Sequence, residues 1–168
     1  MYILAYIFIE AALTEHMVFA TLHTNDAAGA LPRLTNMGID PFLSTSAISC
    51  IVAQRLARRL CKRCEESVRV SETVLQHVGF PFELWEEKPT FYKPVGCKDC
   101  HDGYLGRIGV YELMPITDEV GTLALSRSSA DEIGHAAVKG GMVRMRADGL
   151  LKAARGITSI EEVLRTTV

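Results

Sequence analysis

Four cysteines in two Cys-x-x-Cys pairs, Cys61-Lys-Arg-Cys64 and Cys97-Lys-Asp-Cys100, constrain this 168-residue chain more than any other feature. A two-residue spacer lets one tight turn aim both sulfurs at a single point. A second such turn, after 32 intervening residues, completes a tetrahedral set. Zn²⁺ accepts that set at Zn–S distances of about 2.3 Å, and four sulfurs leave no open position for water or substrate. The ion expected at Cys61, Cys64, Cys97 and Cys100 is therefore structural. Disulfides are the alternative reading. The fifth cysteine, Cys50, lies in the apolar run Ala47-Ile-Ser-Cys-Ile-Val-Ala53 and is expected to be a small core hydrophobe in a reducing compartment. His101 offers a nitrogen ligand that four sulfurs make unnecessary.

The balance of 48% hydrophobic and 23% charged residues is that of a globular chain. A net charge of −2 excludes a sequence-wide basic field for nucleic acid or anionic lipid. Basic residues do cluster at Arg55, Arg58, Arg59, Lys62 and Arg63, which reads first as a solvated face and second as a phosphate or partner contact. The opening run, Met1 to Ile9, is apolar but too short to span a bilayer and has no positive n-region or cleavage site. It reads as a buried strand, or as sequence foreign to the rest of the chain.

Residues 17 to 22 read as a strand covered on both faces, ending in the polar turn His23-Thr-Asn-Asp26. That turn caps a helix from about Ala27 to Met37, bent or divided by Pro32 and stopped by Gly38. A second helix is expected from Pro41 to about Leu56, with Ile48, Ile51, Val52 and Leu56 as its buried stripe. Between the cysteine pairs a helix near Ser71 to Val78 precedes Trp85, Phe91 and Tyr92, which read as a small core. Gly106 to Pro115 reads as a returning strand. Beyond it, helices are expected at 118–126, 130–139, 143–155 and 159–167, with capping boxes at Ser129/Glu132 and Ser159/Glu162.

The tract Ala20-Thr-Leu-His-Thr-Asn-Asp-Ala27 sets a histidine, hydroxyls and Asx side chains where a strand passes into a helix, a place where ligands bind in α/β sheets. Thr24 and Asn25 can donate to an anion such as a terminal phosphate, and His23 can polarise it. Simple capping around a packed histidine explains the same residues.

This tract, then Gln54-Arg-Leu-Ala-Arg-Arg-Leu-Cys61, the cysteine pairs, Gly103-Tyr-Leu-Gly-Arg-Ile-Gly-Val-Tyr-Glu112, Met145-Arg-Ala-Asp-Gly149 and Gly156-Ile-Thr-Ser-Ile-Glu-Glu-Val-Leu-Arg165 together resemble the C-terminal part of the type II secretion and type IV pilus assembly ATPases, over residues 10 to 168. The resemblance implies an α/β fold: a partial RecA-like layer (residues 1–60, carrying the His box), a tetracysteine zinc subdomain (61–100), a return strand (101–116) and a C-terminal helical bundle (117–168). It implies a homo-hexameric, cytoplasmic motor at the inner-membrane face, peripherally attached and working with membrane platform proteins rather than nucleic acid. ATP and Mg²⁺ serve the whole motor, with His23 near the γ-phosphate, Thr24 and Asn25 beside it, and Arg55 and Arg107 at matching basic positions. A standalone zinc-ribbon module, contacting nucleic acid or protein through Arg58, Arg59, Lys62 and Arg63, is the competing reading.

The departures from that family are specific. No G-x-x-x-x-G-K-[ST] occurs, so the backbone nest and lysine that hold β- and γ-phosphates are missing from this sequence. Where the resemblance places the Walker B acid the chain reads Met1 to Ile9, and Glu15 stands where the family has glycine. Glu10 reads as a solvated helix residue, not a catalytic base. The expectation is a C-terminal fragment that does not hydrolyse ATP alone.

Overall fold

A computed structural model describes residues 2–167; Met1 and Val168, the outer ends of the first and last expected segments, lie outside the described residues. The chain mixes helix and strand and divides into two compact units, Met1–Ala53 with Glu112–Val143, and Gln54–Tyr111 with Arg144–Val168. A ribbon of two strands, β1 (Cys50–Leu60) and β4 (Tyr104–Pro115), contributes to both. The Ile116 amide donates to the Ser49 carbonyl at one end and the Cys61 amide to Gly103 at the other, so the strands run antiparallel.

In the first unit, helix α1 (Tyr2–Leu13) packs Ile9 against Leu34 and Ile39, with Ala5, Leu22, Leu43, Ala47 and Ile48 around them. The opening run is thus a helix and not a buried strand. An apolar run of this length has no period of its own, and Glu10-Ala-Ala-Leu13, all good helix formers, extend it as helix. No helix among the described residues is long and apolar enough to cross a membrane.

Residues 16–24 form no regular structure, which corrects the strand expected at 17–22: a parallel-sheet strand needs paired neighbours, and Met17 and Phe19 are instead exposed. Helix α2 (Ala30–Asn36) starts three residues later than expected. Pro32 falls in its first turn, where no intrahelical N–H is required, and neither bends nor divides it. The chain leaves α2 through Gly38 at φ 83°.

Helix α3 (Pro41–Ala47) is capped by Asp40, whose carboxylate accepts the Phe42 amide at 2.8 Å. It stops at Ala47, nine residues before the expected end, and the β-branched Ile48-Ser-Cys-Ile-Val52 passes into β1. The inward residues are therefore Ala53, Ala57 and Leu60, while Val52 and Leu56 of the supposed stripe are exposed, as is Cys50. Helices α5 (Asp118–Leu125) and α6 (Ala130–Lys139) complete this unit, the second with the full Ser129/Glu132 capping box.

In the second unit, strands β2 (Glu66–Val68) and β3 (Phe91–Lys93) pair antiparallel, Ser67 opposite Tyr92, and helix α4 (Glu72–Val78) is capped by Ser71. Leu75, Phe80 and Phe91 share one core with Leu150, Ala153, Ala154 and Val163 from α7 (Met145–Ala154) and α8 (Ile160–Thr166). Trp85 packs at its margin. The segment between the cysteine pairs thus buries Leu75, Phe80 and Phe91 against the last two helices, while Phe82 and Leu84 stay exposed.

Candidate metal centre and histidine tract

The two Cys-x-x-Cys turns fold alike. Cys64 donates its amide to the Cys61 carbonyl and Cys100 to that of Cys97, both at 3.2 Å, so each turn folds its second sulfur back beside the first. The four sulfurs converge within 4.8 Å of one another. Cys61 and Cys97 are 3.9 Å apart, Cys64 and Cys100 3.7 Å, Cys97 and Cys100 3.6 Å. A tetrahedral ion at about 2.3 Å from each sulfur separates its ligands by about 3.8 Å, so the donor set fits a thiophilic cation without rearrangement. All five cysteines are free. His101 is exposed, faces Asp102 at 3.5 Å and stands outside the cluster.

The four thiols differ in how readily they give up a proton. Burial, with the hydrogen bonds of neighbouring thiols, pushes Cys64 up to about 12, so it keeps its proton at neutral pH unless a metal displaces it. Burial also raises Cys100, but the Cys97 amide at 3.2 Å and the Cys97 and Cys64 thiols donate to its sulfur and hold it below the ordinary thiol value. Arg63 of the first turn pairs with Asp99 of the second at 2.7 Å, clasping the two knuckles on the outside.

The histidine tract belongs to the first unit. His23 is exposed and makes no hydrogen bond or ion pair with another described residue; Thr24 is half-buried and Asn25 exposed. The tract is fastened at its far end. Asp26 Oδ1 accepts the Gly29 amide at 2.7 Å, and the Ala27 amide donates to the buried carboxylate of Glu112 at 3.0 Å. Arg55, half-buried on β1, and Arg107, exposed on β4, lie in the second unit. Glu15, upstream of the tract, adopts φ 67°, a left-handed conformation that suits glycine.

Sequence reasoning missed a second polar centre. The carboxylate of Glu162, 1% exposed, accepts the Arg58 amide at 2.9 Å, its Nε and Nη2 at 3.0 and 2.8 Å, and the Arg165 Nε and Nη2 at 2.9 and 2.7 Å. Burial opposes its ionisation, but the Arg165 and Arg58 guanidinium groups outweigh that and hold the carboxyl near 2. The Ser159/Glu162 capping box is therefore only half formed. Ser159 Oγ accepts the Glu162 amide at 3.1 Å, while the glutamate turns inward to the arginines. The Arg58 guanidinium also lies 4.1 Å above the Tyr104 ring, whose hydroxyl meets Ser159 at 2.8 Å. A glutamate on the buried face of a short helix was the available signal.

Other motif residues serve the same scaffold. Asp148 accepts the Tyr111 amide at 2.8 Å and pairs with Lys152, which donates to the Gly109 carbonyl at 2.9 Å. Gly149 leaves room for Val163, whose methyl would stand 2.7 Å from an added Cβ.

Residues 4–165 match the profile of a family described as Type II/IV secretion system protein. The chain is 43% identical over 164 residues to the type IV pilus assembly ATPase PilB of Acinetobacter baylyi, covering 97% of this chain and 28% of that protein. It is 46% identical over 166 residues to PilB of Pseudomonas aeruginosa, covering 97% and 29%. Against the type II secretion system protein E of Pseudomonas aeruginosa it is 42% identical over 165 residues, covering 97% and 32%. The chain thus spans about three-tenths of the length of these relatives.

Proposed function

Because the chain belongs to the Type II/IV secretion system protein family, we propose that it is the C-terminal part of a hexameric ATPase that powers pilin or pseudopilin assembly from the cytoplasmic face of the inner membrane, alongside platform proteins of that membrane. The observation that carries this reading is the likeness of nearly the whole chain to pilus assembly and secretion proteins at 42–46% identity. In this reading residues 1–60 belong to a RecA-like core, 61–100 to a zinc subdomain, 101–116 to a return strand and 117–168 to the helical end.

The bound ion is Zn²⁺, held by Cys61, Cys64, Cys97 and Cys100. The donor chemistry supports it, since four thiolates in a closed shell select Zn²⁺ over harder cations. When bound, the ion supplies folding free energy and no reactive position. His23 stands toward the γ-phosphate of ATP with Thr24 and Asn25 beside it, and its exposed ring is available for such a contact. Arg55 and Arg107 contribute positive charge to the nucleotide-binding body. Without a phosphate-binding lysine loop in its sequence, the chain by itself does not hydrolyse ATP.

The zinc-ribbon reading is less well supported, because three of its four basic side chains are paired within the chain, leaving exposed Arg59 as the fourth. Arg58 is committed to Glu162, Lys62 to Glu65 and the Gly156 carbonyl, and Arg63 to Asp99.

The test is an exchange: residues 4–165 replace the matching segment of the Pseudomonas aeruginosa PilB protein, and ATP turnover is measured. Turnover is expected in the exchanged protein, absent from the chain alone and lost on His23→Ala. Turnover by the chain alone, or an exchanged protein indifferent to His23→Ala, overturns the proposal.

A further inference from the structure

We propose that a cavity in the first unit, walled by α2 and by the turn from α5 into α6, binds a carboxylate that carries a short aliphatic group, with Arg127 as the residue that recognises the anion. The cavity holds about 160 Å³. Its lining divides by chemistry. Leu31, Ala124 and Ile133 are buried and apolar, while Asn36, Arg127 and Ser128 bring polar side chains. None of those three side chains makes a hydrogen bond or ion pair with another described residue.

The backbone at Arg127 sharpens the point. Helix α5 ends in a turn where the Arg127 amide donates to the Ala124 carbonyl and the Ser128 amide to the Leu123 carbonyl, both at 3.0 Å, with Arg127 at φ 55°. Glycine accepts that left-handed position freely, whereas any side chain is strained there. A cation without a partner, placed where the turn itself favours glycine, is what a side chain serving a ligand looks like. The guanidinium is a planar fork that matches a carboxylate, and the Ser128 hydroxyl and Asn36 amide offer further donors to the same oxygens. An inorganic phosphate leaves the apolar lining unfilled, while an acid with a branched hydrocarbon tail covers it. The volume lies below the roughly 300–1,000 Å³ of sites for drug-sized ligands, so the group that enters is short.

The experiment titrates isovalerate into the isotopically labelled chain at constant pH and ionic strength, following the Asn36 and Ser128 amides and the Ile133 methyls by NMR. Saturating shifts with a millimolar Kd are expected, with isovaleramide and inorganic phosphate each weaker by about tenfold or more. Arg127→Gly should weaken isovalerate by about tenfold or more and raise the unfolding midpoint, because glycine relieves the strain at φ 55°. Arg127→Lys, which keeps the charge without the fork, should fall between. Arg127→Asn, which tolerates the left-handed conformation, is a second variant expected to lose binding. An acetylated peptide ending in leucine separates two sources of the carboxylate: tighter binding than isovalerate assigns it to a chain end, and equal or weaker binding to a free acid. Shifts that rise linearly without saturating, isovaleramide or phosphate binding as tightly as isovalerate, or binding that survives Arg127→Gly and Arg127→Asn overturn the proposal. A lowered midpoint in Arg127→Gly does so too, since the arginine would then be part of the turn.

Discussion

The tetracysteine cluster and the histidine tract are both short polar motifs, yet the fold treats them differently. The four sulfurs come together within 4.8 Å, and each turn is closed by its own backbone. The histidine tract is irregular and its His23 ring exposed, while beyond it Asp26 accepts the Gly29 amide and Glu112 the Ala27 amide. A metal centre is complete when its own ligands converge, because the missing partner is a single ion. The exposed His23 ring has no comparable set of converging ligand groups among the described residues.

Zinc loss should mark the contrast most strongly. Structural Zn²⁺ contributes on the order of 10 kcal/mol, so chelation or Cys97→Ser is expected to unfold the segment between the cysteine pairs, seen as rapid proteolysis and altered Trp85 fluorescence. One zinc per chain by elemental analysis is the accompanying expectation, and protein purified metal-free yet fully folded would break the comparison.

Next in size is Glu162→Gln. Removing the charge leaves Arg58 and Arg165 facing a neutral amide. Because their side chains are 39% and 59% exposed, water recovers part of the loss and the cost should be about 2 kcal/mol in urea unfolding. The pH dependence has a definite sign. The carboxyl sits near 2 in the folded chain against 4.5 as an ordinary glutamate, so its contribution is present above about 4.5 and is lost as pH falls toward 2. The gap between wild type and Glu162→Gln should close over that interval, and a gap constant with pH would show that the ion pairs contribute nothing.

In the first unit the effects should be smaller. Ser129→Ala removes the acceptor for the Glu132 amide at 3.3 Å and should cost about 1 kcal/mol, measurable by thermal unfolding. Glu15→Gly should stabilise by about 0.5–1 kcal/mol, since glycine accepts φ 67° without steric cost; a destabilised variant would mean the glutamate side chain contributes there. Smallest of all is His23→Ala, expected within about 0.5 kcal/mol of wild type because the ring is exposed and unpaired among the described residues. A larger loss would make the tract a structural element after all.

Much of both units was legible in advance because its signals are local. The helix beginning near Ser71, the Ser129 capping box, the returning strand expected at 106–115 and the two cysteine turns each depend on residues a few positions apart. The errors fell where local signals were ambiguous. Ile48, Ile51, Val52 and Leu56 fit a helical stripe as well as a strand, and pairing with β4 decided the matter. Pro32 looked like a helix breaker only because the helix was begun three residues early.

By itself the sequence determined that a tetrahedral sulfur site is available, which family the chain resembles, and where most helices begin, since these depend on spacing and short-range chemistry. The tertiary structure alone decided that Glu162 turns from its helix cap to Arg58, 104 positions away, and that Glu112 reaches Ala27 across 85. A buried carboxylate must find donors wherever the folded chain places them, and no local pattern records which distant amide or guanidinium that will be.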